Sequence, residues 1–127
     1  MGRLVIRGAN GTQVQVEMDH QLVELDQGVG VVTAAAGAAT SNKGNAVVTS
    51  ESLTTAAAAI YTLTVTDSKI ALTSIVMASV QLGTSTTGDP IVTQVTPAAG
   101  SVVIKVKNDH ATAALNGTIK VSYITFN

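Results

Sequence analysis

The sequence predicts an all-β protein: an antiparallel β-sandwich or jelly roll with an N-terminal hairpin and an extended arm. Three observations lead there. Val (18), Thr (18) and Ile (8) make up about a third of the 127 residues, and β-branched side chains lose rotamer freedom in a helix but pack well on a pleated surface. Apolar and polar residues alternate with period two in several short runs, the signature of half-buried strands. Turn-forming pairs punctuate those runs. The 18 alanines argue for helix by propensity, but they fall in runs broken by Gly and Thr, with no 3.6-residue apolar stripe.

Along the chain, Leu4 and Ile6 alternate with Arg3, Val5 and Arg7 on a first strand. Asn10-Gly11 follows as a tight turn, because both residues tolerate positive φ. Thr12–Met18 places Val14, Val16 and Met18 on one face, which predicts a hairpin. Gln21–Leu25 is a candidate third strand. The next stretch, GVGVVTAAAGAATSNKGN, is rich in small residues and is expected to be a linker or arm, with a loosely packed strand as the alternative. Two parts result: residues 1–45 as hairpin and arm, and 46–127 as the sandwich domain.

Strands are expected in that second part at Val47–Leu53, Ala59–Thr66, Thr73–Leu82, Ile91–Thr96, Val102–Lys107 and Thr118–Phe126. Turns are expected at Asp67-Ser68, Gly83–Pro90, Pro97–Gly100 and Asn116-Gly117. Short strands at this spacing, apolar on one face, build sandwiches and jelly rolls. The run TSIVMASVQL is apolar on both faces. It suits a central strand, or one whose outer face a neighbouring subunit covers.

Charge narrows the function. Only 12% of residues are charged, about half the usual fraction, and the net charge is −1. Near-zero charge promotes association, so a subunit of an assembly is expected. The seven Lys and Arg are scattered and there are three aromatics in all. Nucleic acid needs a concentrated positive field and stacking platforms, so none is expected as partner. No apolar stretch approaches the ~20 residues that span a bilayer, and the N-terminal run is too short for a signal peptide. A soluble chain made in the cytoplasm, without membrane contact, is expected.

No arrangement of residues supports catalysis. His20 lies among Glu17, Asp19, Glu24 and Asp26, but the spacing fits neither a zinc nor a calcium motif, so an acidic turn is expected. Asp109-His110 with Ser101 or Ser122 lacks the strand–turn–helix and flanking glycines of a nucleophile elbow. His110 is expected to hydrogen-bond backbone in its loop. Gly28 and Gly30 lack the following helix that would cradle phosphate. The Asn-Gly-Thr triplets at 10–12 and 116–118 read as turns. The chain is expected to be no enzyme and to need neither cofactor nor metal.

The segments ESLTTAAAAIYTLTVTDSKI and VMASVQLGTSTTGDPIVTQVTPAAGSVVIKVKNDHATAALNGTIKVSYITF carry a resemblance. The ordered pattern is a Thr/Ala-rich lead-in to Tyr-Thr-Leu-Thr, an Ala-Ser-Val strand ending in GTSTTG, then VTPAAGSVVI and a His-containing loop into LNGTIK. From about Val47 to Phe126 the chain resembles a C-terminal β-sandwich module of structural proteins in tailed bacteriophages. Together with the small size and N-terminal extension, the chain looks like a capsid decoration (cement) protein. That resemblance implies a homotrimer on the capsid exterior that binds the major capsid protein and braces neighbouring capsomers. A tail, baseplate or head-fibre component binding a host surface glycan is the alternative.

The assembly interface expected is Leu4, Val5 and Ile6 with Val29, Val31 and Val32, adding to a neighbour's sheet edge or lying on the shell. Backbone pairing supplies affinity there, repetition multiplies weak contacts, and the partner protects an edge that would otherwise aggregate.

Overall fold

The structure is a computed structural model that describes residues 29–127, together with the backbone of strands 3–6 and 14–17. It contains no helix among the described residues. Strand β1 (Arg3–Ile6) pairs antiparallel with β2 (Val14–Glu17), setting Leu4 opposite Val16 and Ile6 opposite Val14. The expected hairpin pairing is therefore present. The Asn10-Gly11 turn, the candidate strand Gln21–Leu25 and the acidic cluster around His20 lie outside the described residues.

Eight further strands form two sheets of four. They are β3 (Val31–Thr33), β4 (Ala38–Thr40), β5 (Asn45–Thr49), β6 (Ile60–Thr66), β7 (Ile75–Leu82), β8 (Pro90–Ala98), β9 (Ser101–Asn108) and β10 (Ile119–Phe126). One sheet runs β3-β5-β10-β7 and the other β4-β6-β9-β8. The strand pattern read from alternation is recovered closely at β6, β9 and β10. Leu63 and Val65, Val102, Ile104 and Val106, and Ile119 and Val121 are all fully buried. They come from the inner strands β6, β9 and β10 and share a single core with Val48 of β5, Leu115, Tyr61 and Tyr123. Two sheets closed on one core are consistent with a β-sandwich. Each such aliphatic side chain contributes about 1.5–3 kcal/mol by leaving water, so this shared layer dominates the stability.

Two expectations are corrected. The Gly/Ala/Thr segment is not a free arm from Val31 onward. Its strands β3 and β4 pair parallel with β5 and β6, one in each sheet, so the sheets are mixed and not purely antiparallel. The chain crosses between the sheets at Ala34–Gly37, where Ala36 (φ 51°) and Gly37 (φ 75°) take left-handed conformations. Ala34 is buried in the crossing and its N–H donates to Thr49 O. Small side chains allow that close passage, and for the same reason leave no apolar alternation to read.

The second correction concerns β7. It is the last strand of its sheet, not a central one. Val76, Ala78 and Val80 pack inward against the core, while the other side of the strand faces out. β7 lies alongside β8 where the two sheets approach each other. The strand expected to reach Leu53 stops at Thr49. Leu53 remains buried beyond it, its N–H bonded to Gly117 O.

Two polar clusters pin the loops to this frame. Tyr123, on β10, donates from its hydroxyl to Asp67, and Tyr61, on β6, donates to Glu51. Asn108 ends β9 with its side chain fully buried. Its Oδ1 accepts the N–H groups of Asp89 and His110, and its Nδ2 donates to the carbonyls of Thr55, Ala56 and Ala113.

Candidate functional site

The outer faces of the two sheets differ in chemistry, and the difference follows from register. On the first sheet Phe126 stands opposite Ile75 and Ile124 opposite Met77. Directly opposed side chains on one face lie about 5 Å apart, so these four make two adjacent apolar pairs. All are open to solvent: Ile75 at 67%, Met77 at 61%, Phe126 at 50% and Ile124 at 45% exposure. Leu72, just before β7, is 70% exposed. The next row is Ser79–Ser122–Val47–Val31, and beyond it runs Gln81–Lys120–Thr49–Thr33. A shallow depression between β7 and β10 is lined by Met77, Ser79, Ser122 and Ile124.

The second sheet presents Thr62, Thr64 and Thr66 of β6 next to Lys105 and Lys107 of β9. Ile60 and Ile91 flank Lys107 from either side. That face is hydroxylated and positively charged. The first is apolar at one end, hydroxylated in the middle and carries one charge, Lys120, among the outward residues of its four strands.

Of the residues expected at an interface, Val31 stands outward on the apolar sheet, 80% exposed and opposite Val47. Val29 is also exposed. Val32 is instead turned inward and packs against the core, as period two requires when its neighbour Val31 faces out. Leu4, Val5 and Ile6 lie in β1, paired with β2 and not with either four-stranded sheet. The pairs Ile75–Phe126 and Met77–Ile124 were not singled out by sequence reasoning. A signal existed: in ITFN the apolar Ile124 and Phe126 occupy the parity that Lys120 and Ser122 make polar.

The groups weighed for chemistry have structural partners. His110 Nδ1 accepts the N–H groups of Thr112 and Ala113, at 3.1 and 2.8 Å, the backbone role expected of it. Asp109 pairs with Lys107 at 3.3 Å on the surface. Ser101 opens β9 while Asp109 follows its end, about 26 Å away at 3.3 Å per residue, and Ser122 belongs to the other sheet. Neither serine can join Asp109 and His110 in a hydrolytic constellation. Asn116 accepts from Ser85 Oγ and the N–H of Thr86, tying the 116–118 triplet to the neighbouring loop. Among the described residues no group of three His, Asp or Glu side chains could hold a metal ion.

The Tyr123 and Tyr61 hydroxyls are both pushed far above their usual pKa, first by burial and then by the hydrogen bonds to Asp67 and Glu51. Both phenols are neutral donors at any physiological pH.

Comparison with known protein families, with curated proteins and with solved structures finds no match.

Proposed function

We propose that this chain is a structural subunit of a virion: a capsid decoration (cement) protein that binds the outer shell and braces neighbouring capsomers. One observation carries the assembly part of this reading. A chain with 12% charged residues exposes a contiguous apolar row, Ile75, Met77, Ile124 and Phe126, on an otherwise well-formed sheet. Apolar patches of this kind mark interaction surfaces. The capsid part rests on the resemblance of Val47–Phe126 to a tailed-phage structural module.

In this reading the two-sheet body is a knob, the N-terminal hairpin and Val29–Val31 contribute the grip, and the partners are further copies, as a homotrimer, and the major capsid protein. Many equivalent sites on a shell convert modest single contacts into stable decoration. The test is cryo-electron microscopy of purified virions containing the protein. Density for this chain at regular positions on the capsid exterior is expected. Density confined to the tail, or none on the particle, removes the proposal.

A further inference from the structure

We infer that the face centred on Ile75, Met77, Ile124 and Phe126 packs against another copy of this chain about a symmetry axis. The inference rests on the reading above that the chain is an assembly subunit, and adds which surface joins the copies.

Area is the first argument. The four large apolar side chains are exposed by 45 to 67%. At roughly 200 Å² per large side chain, this leaves on the order of 500 Å² of apolar surface in one patch. That is at the upper end of what a monomer exposes. A stable interface needs about 800 Å² per partner with an apolar centre and a polar rim. Here the adjoining row Ser79–Ser122–Val47–Val31 extends the face beyond the apolar pairs on one side.

Charge is the second. None of the outward residues of β3, β5, β10 and β7 is acidic, and the one base, Lys120, stands two rows from Ile124. A strongly charged partner would find nothing on this face to pair with. Copies of this face gathered about the three-fold axis of the proposed homotrimer bring apolar pairs beside apolar pairs near the axis and leave Lys120 at the rim. The Thr/Lys face of the other sheet has no such self-complementarity, because apposing it to itself would bring Lys105 and Lys107 of two copies together.

Native mass spectrometry and light scattering on the full chain test the inference, using Met77→Glu with Ile124→Glu and, as a control on the other sheet, Thr62→Glu. All three positions are exposed, so circular dichroism and thermal melting should match the parent. The expected result is an oligomeric parent, an unchanged oligomer for T62E, and a folded monomer for M77E/I124E, with association weakened at least about 100-fold by the buried charges. A folded M77E/I124E protein with the parent's mass overturns this interface and leaves the assembly reading standing. A parent that is monomeric at high concentration overturns both the interface and the self-assembly it rests on. A monomeric parent that binds isolated capsids through this face overturns the inference in favour of the shell as occupant.

Discussion

The phenolic hydroxyl of Tyr123 donates to Oδ2 of Asp67 at 2.6 Å, and the same oxygen accepts the N–H of Gly44 at 2.8 Å. The arrangement recurs on the other sheet, where Glu51 accepts from the Tyr61 hydroxyl on one oxygen and from the Gly37 N–H on the other. In each case a carboxylate bridges an inward-facing tyrosine of an inner strand and a glycine of positive φ flanking β4. These two bridges fasten the Gly/Ala/Thr segment to the frame.

Asp67 is fully buried and also accepts the Lys69 N–H. Replacing it with Ala would strand three donors, each costing about 1–3 kcal/mol when buried without a partner. Asp67→Ala is expected to destabilise the fold by at least about 3 kcal/mol, and Tyr123→Phe, which removes one donor, by about 1–2 kcal/mol. Urea denaturation monitored by circular dichroism checks both. Equal stability for D67A and the parent would show that the bridge does not hold this segment.

The same pairs set an alkaline limit. Both tyrosine pKa values are raised in the folded state, so the folded chain binds the phenolic protons more tightly than the unfolded chain. Their contribution is complete below the unfolded tyrosine pKa of about 10, and is lost as pH rises from there toward the folded value. The chain has two tyrosines, so absorbance near 295 nm reports on them directly. Ionisation is expected to be delayed well beyond pH 10 and to coincide with unfolding. Simple titration at pH 10 in a folded protein would contradict this.

Asn108 gathers three loops through five hydrogen bonds in a site closed to water. Neither Asp nor Leu can replace it, because the site needs both acceptor and double donor. Asn108→Ala and Asn108→Asp are each expected to cost about 3 kcal/mol or more, and hydrogen exchange should show faster opening of all three loops, around Thr55–Ala56, at Asp89 and at His110–Ala113, than of β6. Loss confined to one loop would refute the hub role.

Gly88 and Gly100 both have positive φ, 91° and 81°. A Cβ on Gly88 would lie 2.8 Å from Leu115 Cδ2, whereas one on Gly100 meets nothing within 4 Å. Gly100→Ala is expected to cost about 1 kcal/mol from the left-handed backbone alone, and Gly88→Ala roughly 1–3 kcal/mol more from crowding a packed leucine. Thermal melts of the two variants compare them; equal losses would mean that Leu115 yields freely.

Much of the frame was legible in the residues. The period-two runs of Leu63 and Val65, of Val102 to Val106 and of Ile119 to Tyr123 give the inner strands directly, because each has one buried face. β3 and β4 were not legible. Val31–Thr33 and Ala38–Thr40 have little size contrast between their faces, and their position depends on Glu51 and Asp67, 14 and 23 residues from the glycines they bind. The position of β7 was left open between two readings, because a strand apolar on both faces has the same composition whether it is central or lies at an edge with an uncovered face. The outer patch appears only once β7 and β10 are set in register, when two unremarkable pairs become one surface.

The crossing at Ala34–Gly37 also has a mechanical consequence. Tension drawn along the chain from residues before Val29 enters β3 first and reaches β4 immediately afterwards, and these belong to different sheets. Each is held by three parallel residue pairs, which must slide together under a pull along the strand instead of opening one at a time. A pull on the chain from its N-terminal side would therefore be shared between both layers, with the carboxylate bridges to Gly37 and Gly44 as stops against slippage.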